Sequence, residues 1–351
     1  MRRWLKRIGF ALALMFVGLT VYNASWLAAA PQGGVKLVAH RGVYQAYDHT
    51  DLGRDDCTAT RIEQPVHGFL ENTVPSIREA GRTGAVMVEV DIAPTSDGEI
   101  VLFHDWTADC RTNASGDTHD FTLAELKELD AGYGYTADGG KTFPFRGKHI
   151  GAIPTLAEGI AAAPRGRFIF NFKSKDAGEA DLLAAKLEEA GRRIDYNKDA
   201  FYGADAPVRR IKELYPDAWA FSQQGAKQCS KDYALLGWFG IVPGSCRASG
   251  TIFVALDYQW VMPGWPNRMI QRMQDAGVEI IMIGPVGPDN APRGIDLPEQ
   301  LGDVPSTFNG WLWVDDMYAV GPALRPDFNT RTELEEEQLA QALERRRQAR
   351  D

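Results

Sequence analysis

Short apolar runs alternate with amphipathic stretches along most of the chain. From about residue 34 onward, runs rich in β-branched and aromatic residues are followed by stretches in which apolar residues recur at helical spacing. This alternation predicts a parallel sheet with helices packed outside it. The candidate strands are residues 35–39, 86–92, 100–103, 168–172, 200–202, 218–221, 252–256, 278–283 and 311–314.

Helix signals lie between several of these strands. Two T-L-A-E sequences, beginning at Thr122 and Thr155, predict capping boxes that start helices, and residues 181–193 have helical spacing with Gly191 near their end. Without a linker between them, the candidates predict one α/β domain of the (β/α)8 TIM-barrel type, with one strand in excess of eight. A doubly wound open sheet is the alternative, but the GxGxxA sequence at 132–137 follows a helix and is typical of a loop.

The first 30 residues combine a basic end with a long apolar run. Residues 8–30 have no charge, and the cations before them are Arg2, Arg3, Lys6 and Arg7. This length suits a membrane-spanning helix better than a signal peptide, whose apolar core is shorter. Residues 28–30 resemble a signal-peptidase site, yet Pro31 disfavours cleavage. We expect residues 1–30 to be an uncleaved anchor with Trp26 at the far interface, a cleaved signal being the alternative, and the remainder to lie on the periplasmic side.

Beyond the anchor, we expect a barrel domain at 34–328 and a charged helix at 329–351. Thr330 and Glu333 have the spacing of a capping box, and a narrow apolar stripe follows them. The three arginines at 345–347 are expected to be solvated at the end of this helix, with contact to anionic lipid as the alternative.

Charge and cysteine content exclude some classes of function. Asp and Glu total 47 against 38 Lys and Arg, for a formal net charge of −9, and the first 30 residues contain no acid. This balance argues against sequence-independent binding of nucleic acid, which requires basic surfaces. Four cysteines without a CxxC pair exclude a zinc-finger site and a dense disulfide scaffold.

Four polar clusters lie at the ends of predicted strands or at the start of the following helix, which are the active-site positions of a barrel. They are His40-Arg41-Gly42, Glu71-Asn72-Thr73, Glu89-Val90-Asp91 and His104-Asp105. Glu89 and Asp91 are two apart on a strand, so their side chains share a face, where a hard cation such as Mg²⁺ or Ca²⁺ would hold them together. Any one cluster is equally compatible with packing or solvation. Two histidines, an arginine and a cation site on one rim favour phosphate ester chemistry.

In order and spacing, these clusters resemble the glycerophosphodiester phosphodiesterase family. The resemblance covers roughly residues 35–175 and also includes Thr95-Ser96-Asp97-Gly98, Arg111-Thr112-Asn113 and Ile153-Pro154-Thr155-Leu156. In the C-terminal half only residues 310–316 are similar. The resemblance implies a (β/α)8 barrel, a divalent metal, and hydrolysis of a glycerophosphodiester to glycerol phosphate and an alcohol.

The resemblance also implies roles for individual residues. They are His40 as general base, His104 as general acid, Arg41 and Lys173 as phosphate ligands, and Glu89, Asp91, Asn171 and Glu71 as metal ligands. The family's fourth strand ends in Glu-x-Lys, whereas this chain has Asn171-Phe172-Lys173. Since an amide oxygen is uncharged, we expect a lower metal affinity, or help from Glu71.

A second departure from the family is an insert at residues 43–70, expected to form a lid or specificity loop on the catalytic rim. The insert contains Cys57, and Cys110 closely follows the His104 cluster. We therefore expect Cys57 to pair with Cys110 and Cys229 to pair with Cys246, since cysteines outside the cytoplasm are oxidised.

Two other functions remain open. A lysophospholipase D-like activity on membrane lipids would suit the anchor and the aromatic loop at 133–145. A non-catalytic glycerophosphodiester-binding protein would explain the lost charge at Asn171, but binding alone needs neither histidine. The expected substrate is a small glycerophosphodiester or lysophospholipid, and the sequence determines neither its head group nor the metal.

Overall fold

The computed structural model describes residues 2–53, 56–286 and 293–348. Its strands are β1 (Lys36–Ala39), β2 (Met87–Pro94), β3 (Ile100–Leu102), β4 (Arg167–Phe172), β5 (Ala200–Gly203), β6 (Trp219–Ser222), β7 (Thr251–Ala255), β8 (Glu279–Ile283) and β9 (Trp311–Val314). Its helices are α1 (Arg2–Tyr22), α2 (Val74–Arg82), α3 (Leu123–Glu128), α4 (Leu156–Ala162), α5 (Gly178–Glu189), α6 (Ile194–Asn197), α7 (Asp205–Leu214), α8 (Gln223–Leu236), α9 (Gly244–Ser249), α10 (Asn267–Asp275), α11 (Met317–Leu324) and α12 (Glu333–Gln348).

All nine predicted strands are present, each within two residues of its predicted bounds. β2 pairs in parallel with β1 and β4, β4 pairs with β5, and β8 pairs with β7 and β9. β3 pairs with β2 in the antiparallel sense and is the extra strand. The other eight follow the order β6-β5-β4-β2-β1-β9-β8-β7. Because the last strand of the chain lies beside the first, the fold is the predicted (β/α)8 TIM barrel and not a doubly wound sheet.

The chain divides into two compact units. The first comprises Met1–Lys36, Phe221–Arg293 and Gly302–Leu312, and it contains α1, α8 to α10, β7 and β8. The second comprises Leu37–Ala220, Gly294–Leu301 and Trp313–Asp351, and it contains β2 to β5, α2 to α7, α11 and α12. The disulfides are Cys229–Cys246 in the first unit and Cys57–Cys110 in the second, which confirms the predicted pairing. The division at residues 34 and 328 stays a prediction.

The N-terminal helix begins and ends earlier along the chain than the apolar run at residues 8–30. α1 includes the four cations and ends at Tyr22. Asn23 ends it, since its Nδ2 donates to Leu19 O and to Trp238 O, each at 2.9 Å. Ser25–Leu27 form a 3₁₀ turn in which Trp26 is exposed, so the expected span to residue 30 is not one helix. Within the described ranges, Arg3–Tyr22 is the one helical segment long and apolar enough to cross a membrane, and it is not buried.

The C-terminal helix α12 is capped and packed more firmly than predicted. Thr332, not Thr330, caps it, with Thr332 Oγ1 accepting from Glu335 N at 3.3 Å. Leu339, Ala342, Leu343 and Arg346 are buried along one face because they follow i, i+3, i+4, i+7 spacing. The expectation of a solvated arginine cluster is therefore wrong for Arg346, which pairs with Glu63 at 2.9 Å and Asp316 at 3.0 Å.

Candidate active site

His40 is joined to the last strand of the barrel. It directly follows β1, and its N–H donates to Val314 O at 3.0 Å. Its Nδ1 lies 2.7 Å from Oδ1 of Asp315, and the other carboxylate oxygen, Oδ2, accepts from Gly294 N at 2.7 Å. Burial works to raise the pKa of Asp315, but these partners outweigh it and hold the pKa below its usual value. An ionised carboxylate only accepts, so Nδ1 holds a hydrogen and Nε2 of the neutral ring is the acceptor.

His104 has the same arrangement after β3. Its Nδ1 lies 2.7 Å from Asp105 Oδ1. Burial first, and then the cations Arg41 and Lys173, together lower the pKa of His104 to about 3. The ring is therefore neutral at neutral pH. An anionic substrate that neutralises the two cations would raise this pKa, which is the condition for His104 to act as an acid.

Arg111 holds Asp105 and Glu71 together in the interior. Its Nε lies 2.8 Å from Asp105 Oδ2, and its Nη1 pairs with Glu71 Oε1. Nη1 also donates to Tyr135 OH at 2.6 Å, and the Tyr135 hydroxyl donates to Glu71 Oε2 at 2.6 Å. Nη2 donates to Thr58 Oγ1 in the insert at 2.7 Å. Glu71 is thus neutralised by a cation of the protein itself.

Glu89, Asp91 and Asn171 meet across neighbouring strands, with Asp91 and Asn171 in register between β2 and β4. Asn171 Nδ2 donates to Glu89 Oε1 at 2.7 Å and to Asp91 Oδ1 at 3.0 Å. Both carboxylates are fully buried. Burial, and then the charge of Asp91, raises the pKa of Glu89. Burial acts in the same direction on Asp91, but nearby cations, Lys173 first, hold the pKa of Asp91 well below its usual range.

The last two residues of the Glu71-Asn72-Thr73 cluster support the arrangement around Asp91. Asn72 has a φ of 57°, a left-handed conformation that asparagine tolerates better than most residues. Its Nδ2 donates to Asp91 Oδ2 at 2.9 Å, and its Oδ1 accepts from Asp91 N at 3.0 Å. Thr73 caps α2 by accepting from Ser76 N. Asn72 therefore fixes the orientation of the Asp91 side chain.

Arg41 and Lys173 both lie near Asp91. Arg41 Nε is 3.5 Å from Asp91 Oδ2, and Lys173 Nζ is 3.4 Å from Asp91 Oδ1. Arg41 Nε and Nη1 are shielded from solvent and have no hydrogen-bond partner in the described part of the chain. Leaving such donors unsatisfied costs free energy, and a phosphate oxygen is the acceptor that suits a guanidinium best.

The oxygens of Glu89 and Asp91 converge on the place now taken by Asn171 Nδ2. A half-turn of the amide would put its oxygen there and complete a three-oxygen set of the kind that Mg²⁺ and Ca²⁺ bind. Glu71 is engaged by Arg111 and Tyr135 instead. In residues 2–53, 56–286 and 293–348, no three His, Cys, Asp or Glu side chains form a metal site by themselves. The set fits a hard cation only with the amide included.

The insert packs against the His40 side of this site. The Tyr44 ring meets that of His40 edge-on at 5.9 Å, and Tyr47 lies 6.1 Å from Tyr44. Trp313 of β9 lies 5.4 Å from His40. These rings form an aromatic wall beside the predicted base. A lid function for the insert stays a prediction.

Thus all eight predicted site residues lie in the second unit. Besides Asn72, sequence reasoning assigned no role to four residues that hold them in place. Asp105 and Arg111 were within the motifs that carry the family resemblance, without a role. Asp315 had a usable signal, because an acid directly after a barrel strand lies on the catalytic rim. Tyr135 lies in the aromatic loop at 133–145, which the sequence linked only to a lipid substrate.

Residues 40–206 match the glycerophosphoryl diester phosphodiesterase family. The matched segment is 167 of the 351 residues, just under half of the chain. Glycerophosphodiester phosphodiesterase 1 of Mus musculus is 35% identical over 135 residues, which are 38% of each chain. A glycerophosphodiester phosphodiesterase of Caldanaerobacter subterraneus is 39% identical over 105 residues, 30% of this chain and 40% of the relative. The chain therefore covers less than half the length of these two relatives.

Two solved structures have the same fold. A phosphodiesterase from Oleispira antarctica, in complex with the product sn-glycerol-3-phosphate, has a TM-score of 0.54 at 19% identity, covering 83% of this chain and 97% of that one. A glycerophosphodiester phosphodiesterase from Agrobacterium tumefaciens has a TM-score of 0.56 at 18% identity, covering 83% and 99%. The likeness extends beyond the matched family segment and supports the barrel fold.

Proposed function

We propose that the protein hydrolyses glycerophosphodiesters by acid–base catalysis at this site, with a divalent metal held by Glu89, Asp91 and Asn171. The observation that supports this most directly is the buried guanidinium of Arg41, whose unpartnered donors suit a phosphate. The match of residues 40–206 to the family and the glycerol-phosphate complex of the Oleispira relative support the substrate class.

In the proposed reaction, Arg41 and Lys173 bind the non-bridging phosphate oxygens. His40 Nε2 takes the proton of the attacking oxygen, which belongs to water or to a glycerol hydroxyl of the substrate, as a new P–O bond forms. Asp315 stabilises the imidazolium that results. When bound, a divalent cation would neutralise charge on the phosphoryl oxygens.

The P–O bond to the alcohol breaks as the leaving oxygen is protonated. His104 is the proposed donor, once the bound phosphate has raised its pKa by neutralising Arg41 and Lys173. Asp105 keeps the His104 ring oriented throughout. With water as the nucleophile, the products are glycerol phosphate and the free alcohol. With the glycerol hydroxyl as the nucleophile, the alcohol leaves a cyclic glycerol phosphate. Water, deprotonated by His104, then attacks this phosphorus and breaks one ring P–O bond, and His40 returns its proton to the glycerol oxygen to give glycerol phosphate.

The test compares the wild type with His40→Ala and His104→Ala on glycerophosphocholine, glycerophosphoethanolamine and a lysophospholipid, with and without chelator. We expect each substitution to lower turnover about 10²–10⁴-fold, as for a placed proton-transfer group. His119→Ala is the control, because that ring packs against Trp106 in a tilted arrangement at 4.5 Å and is not one of the proposed site residues.

Near-normal turnover in either histidine variant would refute the acid–base pair. Turnover of the lysophospholipid alone would favour the lysophospholipase D activity. If the wild type bound glycerophosphocholine without hydrolysing any of the three esters, the protein would be a binding protein.

We also propose that α1 stays attached and anchors the body outside the cytoplasm. The two disulfides support an oxidising compartment. Beyond α1, Asn23 Oδ1 accepts from Arg272 Nη1 at 2.8 Å, and Ser25 Oγ accepts from Asn267 N at 2.9 Å. Cleavage after residue 30 would remove both acceptors. Intact-mass measurement on protein from membranes should find residues 1–30 present, and a soluble chain lacking them would contradict the proposal.

A further inference from the structure

An exposed apolar surface lies at the end of α8 in the first unit. Leu235, Leu236, Phe239 and Ile241 are 72%, 41%, 59% and 49% exposed. We call these four residues the exit patch. Apolar side chains clustered in this way on a protein surface usually mark a contact with a partner or a membrane.

The exit patch lies beside the C-terminal end of α1. Asn23 Nδ2 donates to Trp238 O at 2.9 Å. The Tyr22 hydroxyl packs so closely on Gly240 that a Cβ there would lie 2.2 Å from it. Trp238 and Gly240 alternate along the chain with Phe239 and Ile241 of the patch. The apolar surface and the outer end of α1 are therefore continuous.

Two arginines of α10 lie at the same place. Arg268 and Arg272 are one helical turn apart, with Cζ atoms 5.9 and 5.1 Å from the centre of the Tyr22 ring. Arg272 Nη1 donates to Asn23 Oδ1 and to Gly237 O. Arg272 Nη2 and Arg268 Nε are shielded from solvent and have no hydrogen-bond partner within the described ranges. Two unsatisfied guanidinium donors indicate an anionic ligand.

We infer that the exit patch and this arginine pair dock onto the phospholipid bilayer that α1 crosses. The patch enters the acyl region, and Arg268 and Arg272 bind the phosphate of a lipid head group. A spanning helix holds the residues at its outer end at the membrane interface, where aromatic side chains and cations are favourable. Tyr22 and the exposed Trp26 are such residues. The inference rests on the proposed anchoring by α1.

The test uses the full chain in nanodiscs of phosphatidylcholine and phosphatidylglycerol that contain a trace of photoactivatable lipid. One probe has its diazirine in the acyl chain and the other has it in the head group, and mass spectrometry locates the adducts. We expect acyl-chain adducts at residues 235–241 and head-group adducts at residues 264–272.

The double variant Leu235→Ser/Phe239→Ser should lower acyl-chain labelling of residues 235–241 about tenfold, because burial of two such side chains in lipid is worth more than that factor. Leu334→Ser is the matched control, since Leu334 is 62% exposed but lies on α12 in the second unit. Arg268→Gln should lower head-group labelling and leave acyl-chain labelling at the patch unchanged.

Three results would overturn the inference. A chain retained in the discs without adducts at residues 235–241 would mean that the patch does not contact lipid. Two chains in each disc, joined through the patch and without lipid adducts, would assign the surface to a second copy. A chain that does not co-purify with the discs would refute the anchoring itself, which the first two results leave intact.

Discussion

Each histidine of the site has a carboxylate partner that selects the ring nitrogen available to substrate. Asp315 lies 2.7 Å from Nδ1 of His40, and Asp105 lies at the same distance from Nδ1 of His104. In such pairs the carboxylate fixes the tautomer and stabilises the imidazolium. Asp315 and Asp105 are therefore positioning residues, and their loss should affect turnover more than binding.

Asp315→Asn tests this role. The amide offers an uncharged group that can donate to Nδ1 as well as accept, so His40 can adopt the wrong tautomer. We expect kcat to fall about 10²–10⁴-fold while KM changes little. Steady-state kinetics on glycerophosphocholine measure kcat and KM separately. The control is Asp327→Asn, because Asp327 is exposed. A large rise in KM at constant kcat would mean that Asp315 acts in binding.

Asn171→Glu tests the metal site. In the wild type one amide nitrogen satisfies both Glu89 and Asp91 without any metal. A glutamate there would add a third buried carboxylate, so the variant should melt at a lower temperature in chelator and bind Mg²⁺ or Ca²⁺ more tightly. Asn171→Leu, which lacks an oxygen, should bind metal most weakly. Calorimetric titration and melting curves measure both effects, and a glutamate variant without increased affinity would place residue 171 outside the metal shell.

At the level of single side chains, the sequence could predict those candidate site residues that belong to a recognisable motif. It could not show that Glu71 is bound by Arg111 and Tyr135, because those side chains come from loops with no periodic pattern. Nor could it show that Asn171 donates to both acids, since that requires the register between β2 and β4.

Among the larger elements, the insert is joined covalently to the segment that holds Arg111. Cys57 pairs with Cys110, and the residues that follow them, Thr58 and Arg111, are hydrogen-bonded to each other at 2.7 Å. Arg111 in turn holds Asp105, the partner of His104. The disulfide therefore affects the position of the His104 ring, the proposed general acid.

Replacing both cysteines of this pair by serine should lower kcat at least tenfold at temperatures where the protein remains folded. The control is Cys229→Ser/Cys246→Ser in the first unit. The two bonds span 53 and 17 residues, so chain entropy predicts stability losses of similar size, about 4 and about 3 kcal/mol. Melting curves and kinetics separate the effects. Equal kcat losses in both pairs would show that only general stability matters.

The elements themselves were largely predictable, because strands and capping boxes are local patterns. Both T-L-A-E sequences form capping boxes at α3 and α4. The end of α1 was not predictable, since Asn23 ends the helix through a contact with Trp238, far away in sequence. The start of α12 was not predictable either. Whether Thr330 or Thr332 caps this helix depends on which face of the helix packs against the rest of the second unit.

In the molecule as a whole, the insert and the C-terminal helix are joined at a buried junction. Arg346 pairs with Glu63 of the insert and with Asp316. Beside it, His67 packs its ring 4.6 Å from that of Tyr318, and His67 Nδ1 accepts from Phe69 N at 3.2 Å. Burial lowers the pKa of His67 to about 4, with Asp316 opposing the shift and Arg346 adding to it.

This junction should weaken in acid. Because the pKa is lower in the folded state, unfolded His67 binds a proton between pH 6.5 and 4 and folded His67 does not, so stability is lost as pH falls through that range. At pH 5 the loss is about 2 kcal/mol relative to pH 8. His67→Asn keeps an acceptor near the Nδ1 position and should lose less. Denaturant unfolding at both pH values measures the difference, and identical pH dependence in the two proteins would contradict the assignment.

The division into two units was beyond sequence reasoning for a physical reason. Each unit is assembled from three separate segments, and β9 contributes Trp311 and Leu312 to one and Trp313 and Val314 to the other. No shift in composition marks such a boundary. The barrel fold was predictable because it depends on a repeated local alternation.

The two disulfides join cysteines that are consecutive along the chain, and this affects biosynthesis. If the body is exported from its N-terminus, as proposed above, Cys57 and Cys110 emerge while Cys229 and Cys246 are still unsynthesised or inside the cell. At that stage Cys57 can pair only with Cys110. Cys229 and Cys246 are then the two cysteines that remain to pair. We therefore expect a thiol oxidase alone to make the native pattern, without a disulfide isomerase. The ring that this disulfide closes contains Glu71, Glu89, Asp91 and His104, so four of the eight predicted site residues are enclosed before Asn171 and Asp315 reach the compartment.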